Sequence, residues 1–181
     1  MADQLLLICG SVRAGSSNAA ALRTAGALAP PGVTVTTYDE LAALPHFNPD
    51  DDGERLPAAP ARLRQQLSAA AALLFSTPEY AGALPGSLKN LLDWSVGGGE
   101  LSGKPVGWIN CSWGGPTGAA GAYAELRTVL SYSDATIVEP ACVRVPVTRA
   151  DVGPDGQVGD PAARDRLAAA VAALLSAART G

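Results

Sequence analysis

Residues 10–18 read Gly10-Ser11-Val12-Arg13-Ala14-Gly15-Ser16-Ser17-Asn18 and run directly into an alanine-rich stretch with helical spacing. The two glycines allow tight backbone geometry, the three hydroxyls and the amide offer hydrogen bonds, and Arg13 offers a planar cationic fork. A helix N-terminus pointing at the same space adds unpaired N–H groups. This is what binding a phosphate monoester requires. The loop lacks the Gly-Lys-Ser/Thr ending of a nucleoside triphosphate loop and the glycine spacing of a dinucleotide fingerprint, so a terminal phosphate is favoured over a pyrophosphate. The plainer reading is that Ser16, Ser17 or Asn18 merely caps the helix. It leaves Arg13, beside Ser11 in the same short loop, unexplained.

Other side chains with chemical potential offer less. His46 is the single histidine, and no partner with ligand spacing accompanies it, so a loop contact is expected. Cys9, Cys111 and Cys142 lie far apart, which predicts buried free thiols rather than a disulfide framework or a metal site. No Ser-His-acid set can be assembled. Hydrolysis is disfavoured, and no side chain is assigned a catalytic or metal-binding role.

The loop must be positioned by the elements around it. Leu5–Cys9 is a short continuous apolar run ended by Gly10, the pattern of a strand buried on both faces of a parallel sheet. Further strands are expected over Val33–Tyr38, Ala72–Ser76, Val106–Cys111 and Thr136–Val138. Helical spacing falls between them, over Ala19–Leu28, Ala61–Ala71, Leu88–Trp94 and Ala119–Leu130. A last helix is marked by Asp160 as N-cap, Pro161 in the first turn and an apolar stripe of Leu167, Val171, Leu174 and Leu175. Alternating strands and helices imply right-handed crossovers and an α/β doubly wound parallel sheet with helices on both faces. Five strands suit the flavodoxin-like order 2-1-3-4-5, in which ligands bind beyond the strand carboxyl ends where the order reverses. Residues 45–60 and 148–160 read as Pro-, Gly- and Asp-rich loops.

Length and composition agree. At 181 residues one domain, 1–181, is expected, large enough to build a core unaided. With 48 % hydrophobic and 17 % charged residues, the chain is no disordered segment. A net charge of −4 without a Lys/Arg cluster argues against nucleic acid as partner. Leu5–Ile8 is too short for a signal core or a membrane span, so no membrane partner and a cytoplasmic location are expected.

The loop after the third strand runs Thr77-Pro78-Glu79-Tyr80-Ala81-Gly82-Ala83-Leu84-Pro85-Gly86-Ser87-Leu88-Lys89-Asn90-Leu91-Leu92-Asp93-Trp94. Together with Gly10, Ser11, Arg13, Ser16 and Asn18, this segment resembles the NADPH-dependent FMN reductase family. That family is marked by Gly-Ser-x-Arg-x-x-Ser-x-Asn, then Pro-Glu-Tyr-Asn, then Pro-Gly-x-Leu-Lys-Asn-x-x-Asp-Trp. The segment Leu44-Pro45-His46-Phe47-Asn48-Pro49-Asp50 resembles a further loop of the same family. One departure stands out: Ala81 occupies the place of the usual Asn, removing an amide near the flavin edge.

The resemblance implies a flavodoxin-like FMN-binding domain. It implies that Ser11, Arg13, Ser16 and Asn18 hold the FMN phosphate, with Ser17 in reach. Pro78, Glu79, Tyr80 and Ala81 would lie along the isoalloxazine ring, the backbone N–H groups of Tyr80 and Ala81 remaining free to meet it. For Glu79 and Tyr80 a subunit contact is equally open. A third, glycine-rich loop with Ser112, Gly114 and Gly115 would complete the flavin side, its Trp113 being atypical. Lys89 and Asp93 read as a solvated ion pair and Trp94 as core. The implied function is an NAD(P)H-dependent FMN oxidoreductase. It would take hydride from NADPH or NADH and pass electrons to a quinone, azo compound, metal oxyanion or free flavin. The alternative is an FMN-binding electron carrier without nicotinamide turnover. A homodimer or homotetramer is implied.

Overall fold

The computed structural model describes residues 4–114 and 117–180. Strands β1 (Gln4–Cys9), β2 (Thr34–Tyr38), β3 (Ala72–Ser76), β4 (Pro105–Asn110) and β5 (Thr136–Arg144) alternate with five helices. These are α1 (Ser17–Ala27), α2 (Ala58–Ala69), α3 (Gly86–Trp94), α4 (Ala120–Tyr132) and α5 (Pro161–Thr180). The sheet is parallel throughout, in the order β2-β1-β3-β4-β5. It is the doubly wound, flavodoxin-like arrangement that the strand and helix pattern predicts.

Successive side chains of a strand point to opposite faces, and here both faces are covered. Leu6, Ile8, Leu73, Phe75 and Val106 pack against α2, α3 and α4. Their neighbours Leu5, Leu7, Leu74 and Ile109 pack against α1 and α5. This explains why β1 and β3 read as unbroken apolar runs, each buried Leu contributing about 1.5–3 kcal/mol. At the sheet's edges the pattern is weaker. β2 is half-exposed, and β5 extends six residues past the expected Val138, through Pro140. Its pairing with β4 shifts register between Val106 and Trp108. An edge strand tolerates Pro and a bulge, which is why Glu139-Pro140 hid its continuation.

Helix α5 begins as expected: the Ala163 N–H donates to Asp160 Oδ2 at 2.8 Å. Helix α2 begins three residues earlier than Ala61, since Pro60 falls in its first turn, where no N–H is needed. The residues after β2 are held against α3. The Phe47 N–H donates to Asn90 Oδ1 at 2.7 Å, while Asn90 Nδ2 and Trp94 Nε1 each donate to Pro45 O at 2.9 Å. The Phe47 ring stands edge-on to Trp94 at 5.0 Å. Two motifs some forty residues apart are thereby one structural unit. Trp94 is fully buried, and Lys89–Asp93 is a partly solvated pair at 2.6 Å. His46 is exposed on this loop.

Candidate active site

Beyond the carboxyl ends of β1, β3 and β4, where the strand order reverses, lies a cleft of about 560 Å³. That volume is in the range of small-molecule sites. Ser17 and Asn18 form one end, Thr77, Pro78, Glu79 and Gly82 one wall, and Cys111, Ser112, Gly114 and Thr117 the other, with Val147 beyond them.

The first loop is fixed by close packing. A Cβ at Gly10 would overlap the Thr77 side chain, and Gly15 has φ +67°, in the left-handed region that favours glycine. Ser16 is buried at the N-cap of α1, yet its side chain makes no capping hydrogen bond. The reading of these residues as simple caps therefore fails for Ser16: the first-turn N–H groups of α1 gain no side-chain acceptor from it. Asn18 Oδ1 accepts from Ser76 Oγ at 2.8 Å, which leaves the donor end of its amide for a ligand. Ser17 and Asn18 reach the cleft, whereas Ser11 and Arg13 line an adjoining groove toward β2 and Ser16 lines a third cavity beside α1. The Arg13 N–H donates to Ser11 Oγ at 3.4 Å, and the Arg13 side chain is exposed.

The second loop corrects one expectation. Tyr80 and Ala83 exchange backbone hydrogen bonds, each 3.1 Å, across a two-residue turn with φ +52° at Ala81 and +78° at Gly82. The Tyr80 N–H is therefore committed to Ala83 O and is not free for a flavin. Only Ala81's remains of the two expected. The Tyr80 ring is 51 % exposed at the rim.

Glu79 does not face outward. Its carboxylate accepts from Thr117 Oγ1 at 2.5 Å and from the Ala122 N–H at 3.1 Å, so it caps the start of α4 from across the cleft. The Thr117 hydroxyl first, then the Ala122 and Gly121 N–H groups, hold this carboxyl below the usual glutamate range. A Cβ at Gly121 would overlap the Gly82 carbonyl, so the helix start must be glycine to come this close.

In the third loop, Asn110 Oδ1 accepts from the Ser112 N–H and its Nδ2 donates to Gly118 O, both at 2.9 Å. Ser112 Oγ donates to Gly114 O at 3.0 Å. Gly115 lies outside the described residues. Trp113 is 72 % exposed. Beneath the cleft, the Tyr123 hydroxyl lies 2.6 Å from Ile109 O and 3.1 Å from Thr77 O, and accepts from the Thr77 N–H at 3.2 Å. It joins the ends of β3 and β4, and burial pushes its pKa up. The Cys111 thiol, pushed up to about 12 by burial, is a neutral group in the cleft wall. Cys111 is the one fully buried cysteine; Cys9 and Cys142 are half-buried.

Asn110, Thr117 and Tyr123 escaped the sequence reading. Thr117 and Tyr123 act across tens of residues, on Glu79 and Thr77, Asn110 acts within its own loop through Ser112 and Gly118, and Tyr123 lies on the apolar stripe of α4, where it reads as core.

The sheet order, the phosphate-type loop at its reversal point and the two loops edging the same cleft define a flavodoxin-like flavoprotein. The chain belongs to the NADPH-dependent FMN reductase family, whose model matches residues 4–148. It is 36 % identical over 173 residues to an NAD(P)H-dependent FMN reductase of Pseudomonas aeruginosa, covering 94 % of this chain and 92 % of that protein. It is 33 % identical over 168 residues to a quinone reductase of Escherichia coli, covering 91 % and 89 %. The fold is similar to that of FerB, a flavoenzyme NAD(P)H:(acceptor) oxidoreductase of Paracoccus denitrificans, with a TM-score of 0.81 and 26 % identity over 98 % of each chain. The chain is thus an FMN-family oxidoreductase with a nicotinamide co-substrate.

Proposed function

We propose that this chain, acting as one domain over residues 1–181, carries electrons from NAD(P)H through bound FMN to a quinone. The observation that supports this most is the N-terminus of α1. It follows a left-handed glycine, has no side-chain cap and adjoins a cleft of about 560 Å³ whose far side is edged by the two pinned loops. FMN has that shape, with an anion at one end and a planar ring at the other. When bound, it supplies the hydride-accepting chemistry.

The chain's own groups bind, orient and exclude water. Ser11, Arg13, Ser16, Ser17 and Asn18 hold the phosphate, with the helix N–H groups adding charge complementarity. Pro78 and Ala81 line one edge of the ring and Ser112 and Gly114 the other. Glu79 acts through Thr117 and α4, keeping the two ring-side loops at a fixed separation. Cys111 stays protonated and offers no competing nucleophile at neutral pH.

We further propose a cytoplasmic homodimer or homotetramer, supported by the exposed Tyr80 and Trp113 at the rim. No helix of the described residues is long and apolar enough to cross a membrane. Steady-state turnover of the FMN-loaded protein with NADPH and with NADH, against benzoquinone, an azo dye, chromate and free FMN, tests the reading. Parallel double-reciprocal lines with the quinone fastest are expected. Nicotinamide oxidation that no acceptor accelerates would overturn it.

A further inference from the structure

The cavity beside α1 that Ser16 lines, of about 310 Å³, lies on the other side of the helix N-terminus from the groove toward β2. Gly15, Ser16, Ala19 and Arg23 line it from the first loop and α1, and Arg149 and Val152 from the segment after β5; of its two arginines, Arg23 is engaged by the Gly156 carbonyl. No acidic side chain is among its lining residues.

Arg149 is placed there by a chain of contacts. The Val145 N–H donates to Asn110 O at 2.9 Å and the Val147 N–H to Cys111 O at 3.2 Å, so the segment tracks the end of β4 toward the cleft. Thr148 then donates to Asp151 Oδ2 through both its N–H and its hydroxyl, each at 2.7 Å, fixing a short 3-10 turn at Arg149–Asp151. The segment is also tied back to α1. Arg23 donates to Gly156 O, and the Val158 N–H donates to Thr24 Oγ1, both at 2.8 Å. A guanidinium nitrogen of Arg149 lies 3.9 Å from where a Cβ of Gly15 would be. Among the described residues this guanidinium has no ion-pair partner, the Asp151 carboxylate being engaged by Thr148.

We propose that Arg149 is a second cation for the FMN phosphate, reaching it from the segment after β5, outside the phosphate-loop motif. The inference rests on the FMN reading above. A phosphate monoester carries about −1.5 to −2 charge at neutral pH, which one arginine does not match. Arg13 stands in the groove on the β2 side of the loop and Arg149 in the cavity on the other, with the uncapped helix start between them. The ribityl and ring portions of the cofactor have no such anion, so the contribution of Arg149 is specific to the phosphate.

The test is titration of the purified protein with FMN and with riboflavin, followed by flavin fluorescence, for wild type, Arg149→Ala and Arg149→Lys. Arg149→Ala is expected to weaken FMN about tenfold, the low end for a charge-assisted contact with a partly exposed group, and to leave riboflavin unchanged. Arg149→Lys is expected to recover part of the loss. The ratio of KM for NADPH to KM for NADH is expected to stay constant. Unchanged FMN affinity would overturn the assignment. So would an equal loss for riboflavin, which marks a packing role. An effect confined to NADPH would assign the arginine to the dinucleotide's extra phosphate instead. A wild-type protein that binds neither flavin defeats the FMN reading itself, whereas a wild type that binds FMN no better than Arg149→Ala defeats only the arginine assignment.

Discussion

Tyr80 and Ala83 are a closed backbone pair, each donating its N–H to the other's carbonyl at 3.1 Å, and the turn they close forces Ala81 to φ +52°. Positive φ at both central residues, with Gly82 at +78°, is the pattern of a type I′ turn, which favours Asn-Gly. An L-residue with a Cβ loses roughly 1–2 kcal/mol in this region, and Asn loses less than Ala. The Asn expected from the family motif at this position thus has a conformational explanation as well as a flavin-contact one.

Substitution at 81 separates the two. Ala81→Gly and Ala81→Asn are both expected to stabilise the protein by about 0.5–1 kcal/mol, raising Tm by about 1–3 °C. Ala81→Asn alone is expected to shift the flavin midpoint potential or the ratio of acceptor rates, with FMN Kd changing less than tenfold. Differential scanning fluorimetry and a potentiometric titration check this. A shift of equal size in Ala81→Gly would assign it to the backbone.

Loss of the Arg13 guanidinium is expected to weaken FMN by roughly 10- to 100-fold, the range for a charge-assisted contact. Riboflavin binding is expected to stay as it was. Fluorescence titration of Arg13→Ala with the two flavins checks it, and unchanged FMN affinity would remove Arg13 from the phosphate site.

Much of this architecture is legible in the sequence, for physical reasons that differ by element. β1 and β3 are read directly because burial on both faces demands unbroken apolar runs, and α5 because Asp160-Pro161 announces its start. The phosphate loop is local, so residues 10–18 announce it too. What stays hidden is what joins distant segments. Glu79 meets Thr117 and Ala122, Tyr123 meets Thr77, and Arg149 comes close to Gly15, each pairing created by the crossovers rather than by spacing. The pairing of the Tyr80 N–H is hidden for a different, local reason: its partner, Ala83, is set by a turn type that an Ala at position 81 disguises.

Glu79 couples the second loop to α4, and its lowered pKa fixes the pH dependence. A carboxyl whose folded pKa is depressed contributes stability that is present above its unfolded value and is lost as pH falls through the folded one. Glu79→Gln is therefore expected to be less stable than wild type at neutral pH. The difference should shrink below the ordinary glutamate range. Thermal unfolding from pH 7 downward checks the sign, and a gap that widens on acidification would contradict it.

Tyr123→Phe leaves the buried Thr77 N–H without its partner, while the Ile109 carbonyl keeps the Ser76 hydroxyl at 2.7 Å. A loss of about 1–3 kcal/mol is expected in urea unfolding, with an unchanged m-value. Weaker FMN binding should accompany it, because one of the two side-chain bridges between the ends of β3 and β4 would be lost, the other being the Ser76 hydroxyl on Ile109 O.

Electron transfer from NAD(P)H through FMN to a quinone is read most directly in the absorbance spectrum of the FMN-loaded protein under anaerobic conditions, before and after one equivalent of NADPH and then of benzoquinone. The yellow flavin band is expected to be lost on adding the nicotinamide and to return on adding the quinone. A protein that takes up no FMN, or whose flavin band is untouched by NADPH and NADH alike, would contradict it.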